Sequence, residues 1–279
     1  MKLKSPAKIN LFLHVVGQRA DGYHLLESLL CPVGIFDTVT LTFGTVDISV
    51  RCAHADVPED ETNLAYQAAR FFYDAHEAST GVAIAIDKNI PAGAGLGGGS
   101  SNAATVLLGL NRFYNSPFGS RELMQMGVRI GADVPFFIRQ KPALACGIGD
   151  QLSAYNGLKK LPLIVVYPGV PLSTAAVYKK LKYGLTKNEK INRYFTFKAG
   201  NFQIPRDLVN DLEAPARALC PDIDRVKAVL SGAGANGILV SGSGSSVFGL
   251  FGESSRADAA AKEMPVEKNW QVFGTSLLV

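Results

Sequence analysis

The segment from Pro91 to Ser101 has the residue types that most clearly favour chemistry, because five of the seven positions that start at Gly93 are glycine. Glycines let backbone amides converge on an anion, and a helix that begins near Ser101 adds oriented N–H groups and the positive end of its dipole. We therefore expect this loop to bind a polyphosphate. The predicted binding residues are Pro91, Ala92, Gly93, Ala94, Gly95, Leu96, Gly97, Gly98, Gly99, Ser100 and Ser101.

Three other interpretations of this loop are weaker. A flexible linker or a tight turn would not need glycine at so many positions before a well-formed helix. A Walker P-loop ends in Gly-Lys-Ser/Thr, whereas this loop ends in Gly-Ser-Ser. The loop does satisfy the GxGxxG pattern of dinucleotide-binding folds, but the region 112–118, where a second strand and its acidic residue should follow, has neither.

The hydrophobic pattern places the loop between a strand at 82–87 and a helix at 101–113. Earlier strands are predicted at 11–16, 39–43 and 47–51. Asn63 is expected to cap a helix that follows it, and Ser120 to cap one that extends to Ile130. The two Ser residues at 100 and 101 are expected to cap the helix after the loop and to touch phosphate.

A polar stretch near residue 150 predicts a boundary between a domain at 1–155 and a second domain at 156–279. With its central helices counted as one crossover, the second domain has a β-α-β-β-α-β, ferredoxin-like order, so the fold class is α+β. The predicted strands are 163–167, 237–241, 246–251 and 270–278, and the predicted helices are 174–183, 207–218, 222–231 and 254–264. A segment rich in Lys and Asn, 186–201, is predicted to be a loop.

Composition excludes several classes of protein. The chain has 279 residues, 28 basic and 24 acidic, and its net charge of +4 is scattered, so we expect no nucleic-acid partner. No apolar window is long enough to span a bilayer and no signal core is visible, so we expect a cytoplasmic protein without a membrane partner. The four cysteines lack metal-ligand spacing and are expected to be reduced and mostly buried. Nothing in the sequence specifies an oligomeric state.

Four segments together resemble the GHMP kinases, the superfamily of galactose, homoserine, mevalonate and phosphomevalonate kinases. The family's loop pattern is Pro-x-x-x-Gly-Leu-Gly-Ser-Ser-Ala, which Pro91, Gly95, Leu96 and Gly97 match in register. The other similar segments are 5–24 (Ser-Pro-Ala-Lys-Ile-Asn to Asp-Gly-Tyr-His), 131–136 (Gly-Ala-Asp-Val-Pro-Phe) and 241–246 (Ser-Gly-Ser-Gly-Ser-Ser). The resemblance implies an N-terminal domain like ribosomal protein S5, a ferredoxin-like C-terminal domain and substrates bound between them.

The same resemblance implies the roles of the remaining residues. Asp133 is the general base, and Lys8 keeps it ionised and stabilises negative charge on the phosphoryl group. ATP is the co-substrate. Mg²⁺ follows from phosphoryl-transfer chemistry, with one loop serine facing it and its other protein ligands unassigned. Substrate contacts fall to Asn10, Tyr23, His24, Tyr178, Gly242 and Ser243, with the aromatic rings against a nucleotide base.

The triple glycine and the Gly-Tyr-His turn resemble most specifically those GHMP kinases that phosphorylate the 2-hydroxyl of a cytidine diphosphate-linked polyol in the non-mevalonate isoprenoid route. Two alternatives stay open. One is a GHMP kinase with another acceptor, such as homoserine or phosphomevalonate. The other is a non-catalytic RNA-binding module on the S5-like fold, which would show a basic face and would have no use for a polyphosphate loop.

Overall fold

The computed structural model describes residues 1–77, 80–181 and 202–279, and these residues form two compact units. Unit 1 consists of residues 1–7, 35–92 and 97–140, and unit 2 consists of residues 8–34, 93–96 and 141–279. Because each unit combines separate stretches of chain, the boundary between residues 155 and 156 stays a prediction about sequence domains. In the described part of the chain, no helix is long and apolar enough to cross a membrane.

The sheet of unit 1 is built from parts of β1 (Lys2–Gln18) and β2 (His24–Thr45) together with β3 (Ser49–Cys52) and β4 (Gly81–Asp87). β4 runs antiparallel to β2 and parallel to β3, and the strand order is β3-β4-β2-β1. Alternate residues of the C-terminal half of β2 are buried, as a half-buried strand requires. The predicted strands at 39–43 and 82–87 are therefore confirmed, within longer elements.

Four helices complete the described part of unit 1: α1 (Leu64–His76), α2 (Gly98–Phe113), α3 (Ser120–Ile130) and α4 (Val134–Arg139). Asn63 caps α1 as predicted, since its side chain accepts a hydrogen bond from the amide of Ala65. The buried face of α1 repeats at helical spacing through Ala65, Ala68, Ala69, Phe72 and Tyr73. α2 packs directly on the sheet, because a Cβ on Gly109 would lie 2.5 Å from a methyl carbon of Leu41.

Two predicted helix caps are wrong. α2 begins at Gly98 with Gly97 as its N-cap, so Ser100 and Ser101 lie inside the first turn instead of capping it. α3 is capped by Gly119, and Ser120 is its first helical residue. The Glu122 carboxylate completes that cap by accepting a hydrogen bond from the Gly119 amide at 2.8 Å. At α2, Gly97 supplies a left-handed backbone with a φ of +72°, which side-chain capping preferences do not capture, whereas Gly119 before α3 has an ordinary extended backbone.

A four-stranded antiparallel sheet forms the ferredoxin-like part of unit 2, with the order β11-β7-β10-β9. Its strands are β7 (Pro162–Tyr167), β9 (Gly237–Val240), β10 (Val247–Leu250) and β11 (Gln271–Ser276). The helices are α5 (Thr174–Lys180), α6 (Glu213–Leu219), α7 (Asp222–Gly232) and α8 (Ser254–Glu263). This arrangement confirms the predicted β-α-β-β-α-β order. The end of the helix predicted at 174–183 and the loop predicted at 186–201 lie outside the described residues.

Three short strands complete unit 2: β5 (Ala143–Cys146), β6 (Gln151–Ala154) and β8 (Val209–Asn210). β5 pairs with β2 and with β6, and β8 runs parallel to β1 beside Phe12. The helix predicted at 207–218 is therefore wrong over its first residues. Local helical spacing gave way there to a tertiary contact, the backbone pairing of β8 with β1.

Three of the four cysteines, Cys31, Cys52 and Cys220, are buried free thiols, as expected. Burial raises the pKa of the Cys31 thiol to about 12, so this group stays protonated and unreactive at neutral pH.

The core of unit 1 depends on Phe72, which is fully buried and meets the ring of Phe118 edge to face at 5.2 Å. We expect Phe72→Ala to lower the free energy of unfolding by about 3–5 kcal/mol, since it opens a cavity that the packed helices cannot refill. Urea titration of both proteins measures the difference. Val128→Ala, on an exposed site of α3, is the control and should cost less than about 1 kcal/mol. Equal losses in the two variants would contradict this account of the core.

Candidate active site

The glycine loop uses a backbone that only glycine adopts readily. Gly93, Gly95 and Gly97 have φ angles of +63°, +76° and +72°, in the left-handed region. Gly97 then serves as the N-cap of α2 with no side-chain hydrogen bond at the cap. The first amides of this 16-residue helix are therefore not occupied by a capping side chain, which is the arrangement that suits a phosphate.

The middle of the loop, residues 93–96, belongs to unit 2 and is fixed there through its carbonyl groups. The carbonyl of Gly95 accepts a hydrogen bond from the Ser241 hydroxyl at 3.0 Å, and that of Leu96 accepts one from the amide of Lys8 at 3.0 Å. The carbonyl of Ala94 accepts from the amide of Ser246 at 3.1 Å. Because carbonyl groups make these contacts, the attachment does not consume the amides that an anion needs.

Gly95 also lies too close to its neighbours for any side chain. A Cβ at this position would be 2.1 Å from the carbonyl oxygen of Ser241, well inside contact distance. The close approach of two backbones, together with the positive φ, explains why glycine occupies this position.

Asp133 lies in unit 1, at the turn that begins α4. It is the N-cap residue by position, but its side chain makes no capping hydrogen bond. The residue is half-buried. The same turn lies next to the start of α2, since a Cβ on Gly131 would be 3.8 Å from the hydroxyl of Ser100. Unit 1 thus brings together the predicted base and the C-terminal end of the glycine loop.

Lys8 lies in unit 2 and is only 5% exposed, which excludes a solvated lysine at a strand edge. Its ammonium group donates a hydrogen bond to the side-chain oxygen of Asn10 at 2.6 Å. Asn10 is fixed in turn, because its amide donates to the hydroxyl of Ser28 at 2.8 Å and that hydroxyl donates to the carbonyl of Phe12 at 2.6 Å. β1 therefore presents a rigid, buried cation. The predicted approach of Lys8 to Asp133 stays a prediction.

The predicted motif at residues 241–246 lies beside Lys8 and Asn10 in unit 2. A Cβ on Gly242 would lie 3.2 Å from both the ammonium nitrogen of Lys8 and the side-chain oxygen of Asn10. Gly242 has a φ angle of +55°, so it satisfies the turn and leaves room for the two polar groups. The hydroxyl of Ser243 lies 3.0 Å from that of Thr174. The carbonyl oxygen of Gly95 lies 3.3 Å from the same Cβ position on Gly242, so unit 2 brings Lys8, Asn10, Gly242 and Gly95 together.

Asn210 was missed in the sequence and holds this motif in place. Its side-chain amide donates hydrogen bonds to the carbonyls of Val240 and Gly242, at 2.9 and 2.7 Å, and its oxygen accepts one from the amide of Leu212 at 2.9 Å. An asparagine that accepts a hydrogen bond from the amide two residues later is a known turn signal. Asn210 carries that signal in the sequence, but the helical spacing of residues 207–218 predicted a helix there instead.

The predicted motif at residues 5–24 ends in two aromatic residues: Tyr23 lies in a tight turn, and His24 is the first residue of β2. The rings of His24 and Tyr178 stack, with centroids 4.7 Å apart and planes 22° from parallel. Burial lowers the pKa of His24, so its ring is neutral at pH 7. Tyr23 is 61% exposed and lies in the turn beside Gly22. Unit 2 therefore brings His24 and Tyr178 together, although they are far apart in sequence.

Sequence profiles of two protein domains match the chain. That of the GHMP kinases N terminal domain matches residues 63–141, and that of the GHMP kinases C terminal domain matches residues 196–268. Among solved structures, a 4-(cytidine 5'-diphospho)-2C-methyl-D-erythritol kinase superposes with a TM-score of 0.81 at 33% identity, with 100% of both chains covered. Homoserine kinase from Cytophaga hutchinsonii has a TM-score of 0.75 at 17% identity over 99% of this chain and 95% of that one, a likeness of fold alone.

Curated relatives extend over nearly the whole chain. A 4-diphosphocytidyl-2-C-methyl-D-erythritol kinase from Syntrophotalea carbinolica is 44% identical, and the match covers 96% of each chain. The kinase of the same name from Geobacter metallireducens is 42% identical, over 100% of this chain and 99% of the relative. Since full-length relatives and both family domains agree, this chain belongs to the GHMP kinases, enzymes that use ATP as their phosphate donor.

Proposed function

We propose that this enzyme transfers the γ-phosphoryl group of ATP to the 2-hydroxyl of 4-diphosphocytidyl-2-C-methyl-D-erythritol, a step of the non-mevalonate route to isoprenoid precursors. The observation that carries the kinase assignment is the glycine loop, which opens α2 through Gly97 with no side-chain cap. The names of relatives that share 42% and 44% of their residues with this chain support the choice of acceptor.

The donor side of the reaction is the loop from Pro91 to Ser101. Backbone amides at the start of α2 point toward a bound anion, and the helix dipole adds positive potential at the same end. Gly93, Gly95 and Gly97 have left-handed backbones and no side chains that could obstruct a phosphate. The loop therefore suits the β- and γ-phosphates of ATP.

The acid–base step falls to Asp133. Its carboxylate takes the proton of the 2-hydroxyl as the hydroxyl oxygen forms a bond to the γ-phosphorus, and the bond from that phosphorus to the β-phosphate bridging oxygen breaks to release ADP. The family resemblance assigns Lys8 to the same step, where its ammonium group stabilises the negative charge of the transferring phosphoryl group. Burial at 5% exposure strengthens that effect, because little water screens the charge.

Magnesium fits the oxygen groups of unit 1. When bound, Mg²⁺ neutralises phosphate oxygens, and it takes few protein ligands because it keeps several waters. Ser100, whose hydroxyl lies beside the turn of Asp133, is the residue that would hold it. Within the residues described here, no group of three or more His, Cys, Asp or Glu side chains could hold a metal ion.

The acceptor side is proposed to lie in unit 2. The stacked, neutral ring of His24 and the ring of Tyr178 provide a flat aromatic surface for the cytosine base, and Tyr23 provides a third ring nearby in sequence. Asn10 is held with its side chain fixed at both ends, so it can position a substrate hydroxyl. Gly242 and Ser243 complete the proposed contacts.

The proposal extends to the organisation of the chain. We assign residues 1–155 to ATP binding and catalysis, and residues 156–279 to the ferredoxin-like domain, in a protein that works in the cytoplasm. Homoserine and phosphomevalonate remain the alternative acceptors, because solved kinases of both kinds share this fold at 17% identity or below. The RNA-binding alternative leaves the uncapped glycine loop without a role.

An acceptor panel tests the proposed reaction directly. Purified protein with Mg-ATP should release ADP in the presence of the cytidine substrate and should remain at background with homoserine or phosphomevalonate. The physical reason is that only the cytidine substrate offers a base to the His24 and Tyr178 rings. Turnover with another acceptor would be consistent with a GHMP kinase but would contradict the proposed substrate. RNA binding without turnover would contradict the proposed kinase activity itself.

Replacing the proposed base tests the assignment of Asp133. Asp133→Asn keeps the shape of the side chain and removes its ability to accept a proton, so we expect kcat to fall by about 10²–10⁴-fold while the KM for ATP changes little. Steady-state kinetics on both proteins measure this. The matched control is Asp74→Asn on the exposed side of α1, which should retain wild-type kcat. If the kcat of Asp133→Asn stays within roughly a few-fold of the wild-type value, Asp133 is not the general base.

Replacing the aromatic partner tests base recognition. Tyr178→Ala removes one ring of the stacked pair, and stacking on a base contributes about 1–3 kcal/mol, so the KM for the cytidine substrate should rise by about 5- to 150-fold. Tyr178→Phe keeps the ring and should stay close to wild type. The KM for ATP serves as the internal reference and should not change. A parallel rise in both KM values would show a general loss of structure instead.

A further inference from the structure

The carboxylate of Asp37 is the hub of a buried polar cluster in unit 1. It lies on β2 with its side chain fully buried, and it pairs with Lys88, whose side chain is 5% exposed. One carboxylate oxygen accepts hydrogen bonds from the backbone amides of Asn89 and Ile90, both at 2.8 Å. The other oxygen accepts from the Lys88 ammonium group at 2.5 Å and from the side-chain amide of Asn102 at 2.9 Å.

These four donors lie at the two ends of the glycine loop. Lys88, Asn89 and Ile90 come directly before Pro91, where the loop begins, and Asn102 comes directly after Ser101, where it ends. A single carboxylate therefore holds both ends of the loop at a fixed separation. Glycine-rich segments have many accessible backbone conformations, so fixing their ends removes freedom that nucleotide binding would otherwise have to remove.

A second set of contacts extends the cluster into the first turn of α2. The hydroxyl of Ser5 accepts a hydrogen bond from the Asn102 side chain at 3.0 Å and donates one to the Ser101 hydroxyl at 2.7 Å. Lys88 reaches the same turn, since a Cβ on Gly98 would lie 2.9 Å from its ammonium nitrogen. The start of the helix, whose amides face the anion, is thus attached to Asp37 by side chains from β1 and from the segment after β4.

The charge of the cluster is balanced inside the protein. A buried carboxylate or ammonium group without a partner is strongly unfavourable, and the Asp37–Lys88 pair with its three further donors removes that cost. A pair of apolar residues would satisfy packing equally well but would leave the backbone amides of Asn89 and Ile90 and the side-chain amide of Asn102 without this acceptor. The polar cluster therefore supplies geometry that an apolar core would not.

We propose that Asp37 is a positioning residue for the nucleotide: without contacting ATP, it fixes both ends of the glycine loop and the first turn of α2 in the geometry that binds the phosphates. The inference rests on the proposed role of this loop in ATP binding. It is independent of the acceptor, because nucleotide binding can be measured with no acceptor present.

The variant Asp37→Asn tests it. An amide in place of the carboxylate removes the charge that pairs with Lys88 and places an N–H group opposite the donors of Lys88 and Asn102. We expect the Kd for a non-hydrolysable ATP analogue, measured by calorimetry with Mg²⁺, to rise about tenfold or more, as small displacements of positioning groups do. The KM for the cytidine substrate should stay within about twofold of wild type.

Two further variants separate positioning from general stability. Asp87→Asn, on an exposed aspartate one residue before Lys88, is the matched control and should bind the analogue as wild type does. The double variant Asp37→Asn with Asn102→Asp restores a carboxylate and an amide to the same two positions, and it should recover most of the lost nucleotide affinity. A purely structural role would lower the melting temperature and weaken both substrates together.

Several outcomes would overturn the proposal. Unchanged nucleotide affinity in Asp37→Asn would do so, and so would a parallel loss of nucleotide and acceptor binding. If Asp37→Asn does not fold, Asn102→Ala replaces it, since it removes one contact of the carboxylate and keeps the ion pair. That variant should weaken the analogue by about threefold or more, and wild-type affinity there would equally reject the role of Asp37. If the wild type binds the analogue but does not phosphorylate the cytidine substrate, the acceptor assignment fails and this inference stands.

Discussion

The loop at residues 91–101, which we propose binds phosphate through its backbone, has few side chains with which to hold itself in place, and this constraint governs much of the structure around it. Glycine gives the amides access to the anion, but it also makes the free loop highly flexible. The structure compensates by attaching the loop elsewhere: its middle through the carbonyls of residues 94–96, and its ends through the carboxylate of Asp37. None of these attachments uses the amides at the start of α2, which we propose bind the phosphates.

Buried charge recurs in the parts of the chain that carry the proposed chemistry. Lys8 and Asp37 are both buried, and each makes hydrogen bonds with other buried polar groups: Lys8 with Asn10, and Asp37 with Lys88, Asn102 and two backbone amides. Such side chains are ordered by their hydrogen bonds and shielded from water, so their positions are defined before any substrate binds. For a reaction that depends on positioning and electrostatics, that rigidity is the main contribution of the protein.

The residues that we propose to contact ligands could be predicted from the sequence, whereas the residues that hold those side chains and loops in place could not. The glycine loop, Asp133 and the Lys8–Asn10 pair belong to continuous motifs whose residue types suggest their chemistry. Asp37 and Asn210 lie in ordinary strand-like or helix-like contexts, and their partners are 51 to 65 and about 30 residues away in sequence. Local periodicity also misled at 207–212, where pairing with β1 produced strand β8, and at the start of α2, where Gly97 rather than a serine precedes the helix.

The close approach at Gly95 has a consequence for inhibitors. Any side chain there would collide with the carbonyl of Ser241, so the enzyme cannot change this residue without moving its own backbone. A compound whose affinity depends on van der Waals contact with the α-carbon of Gly95 would therefore bind at a position where steric collision prevents a resistance mutation. Resistance would have to arise through residues whose side chains can vary, such as those around the aromatic pair.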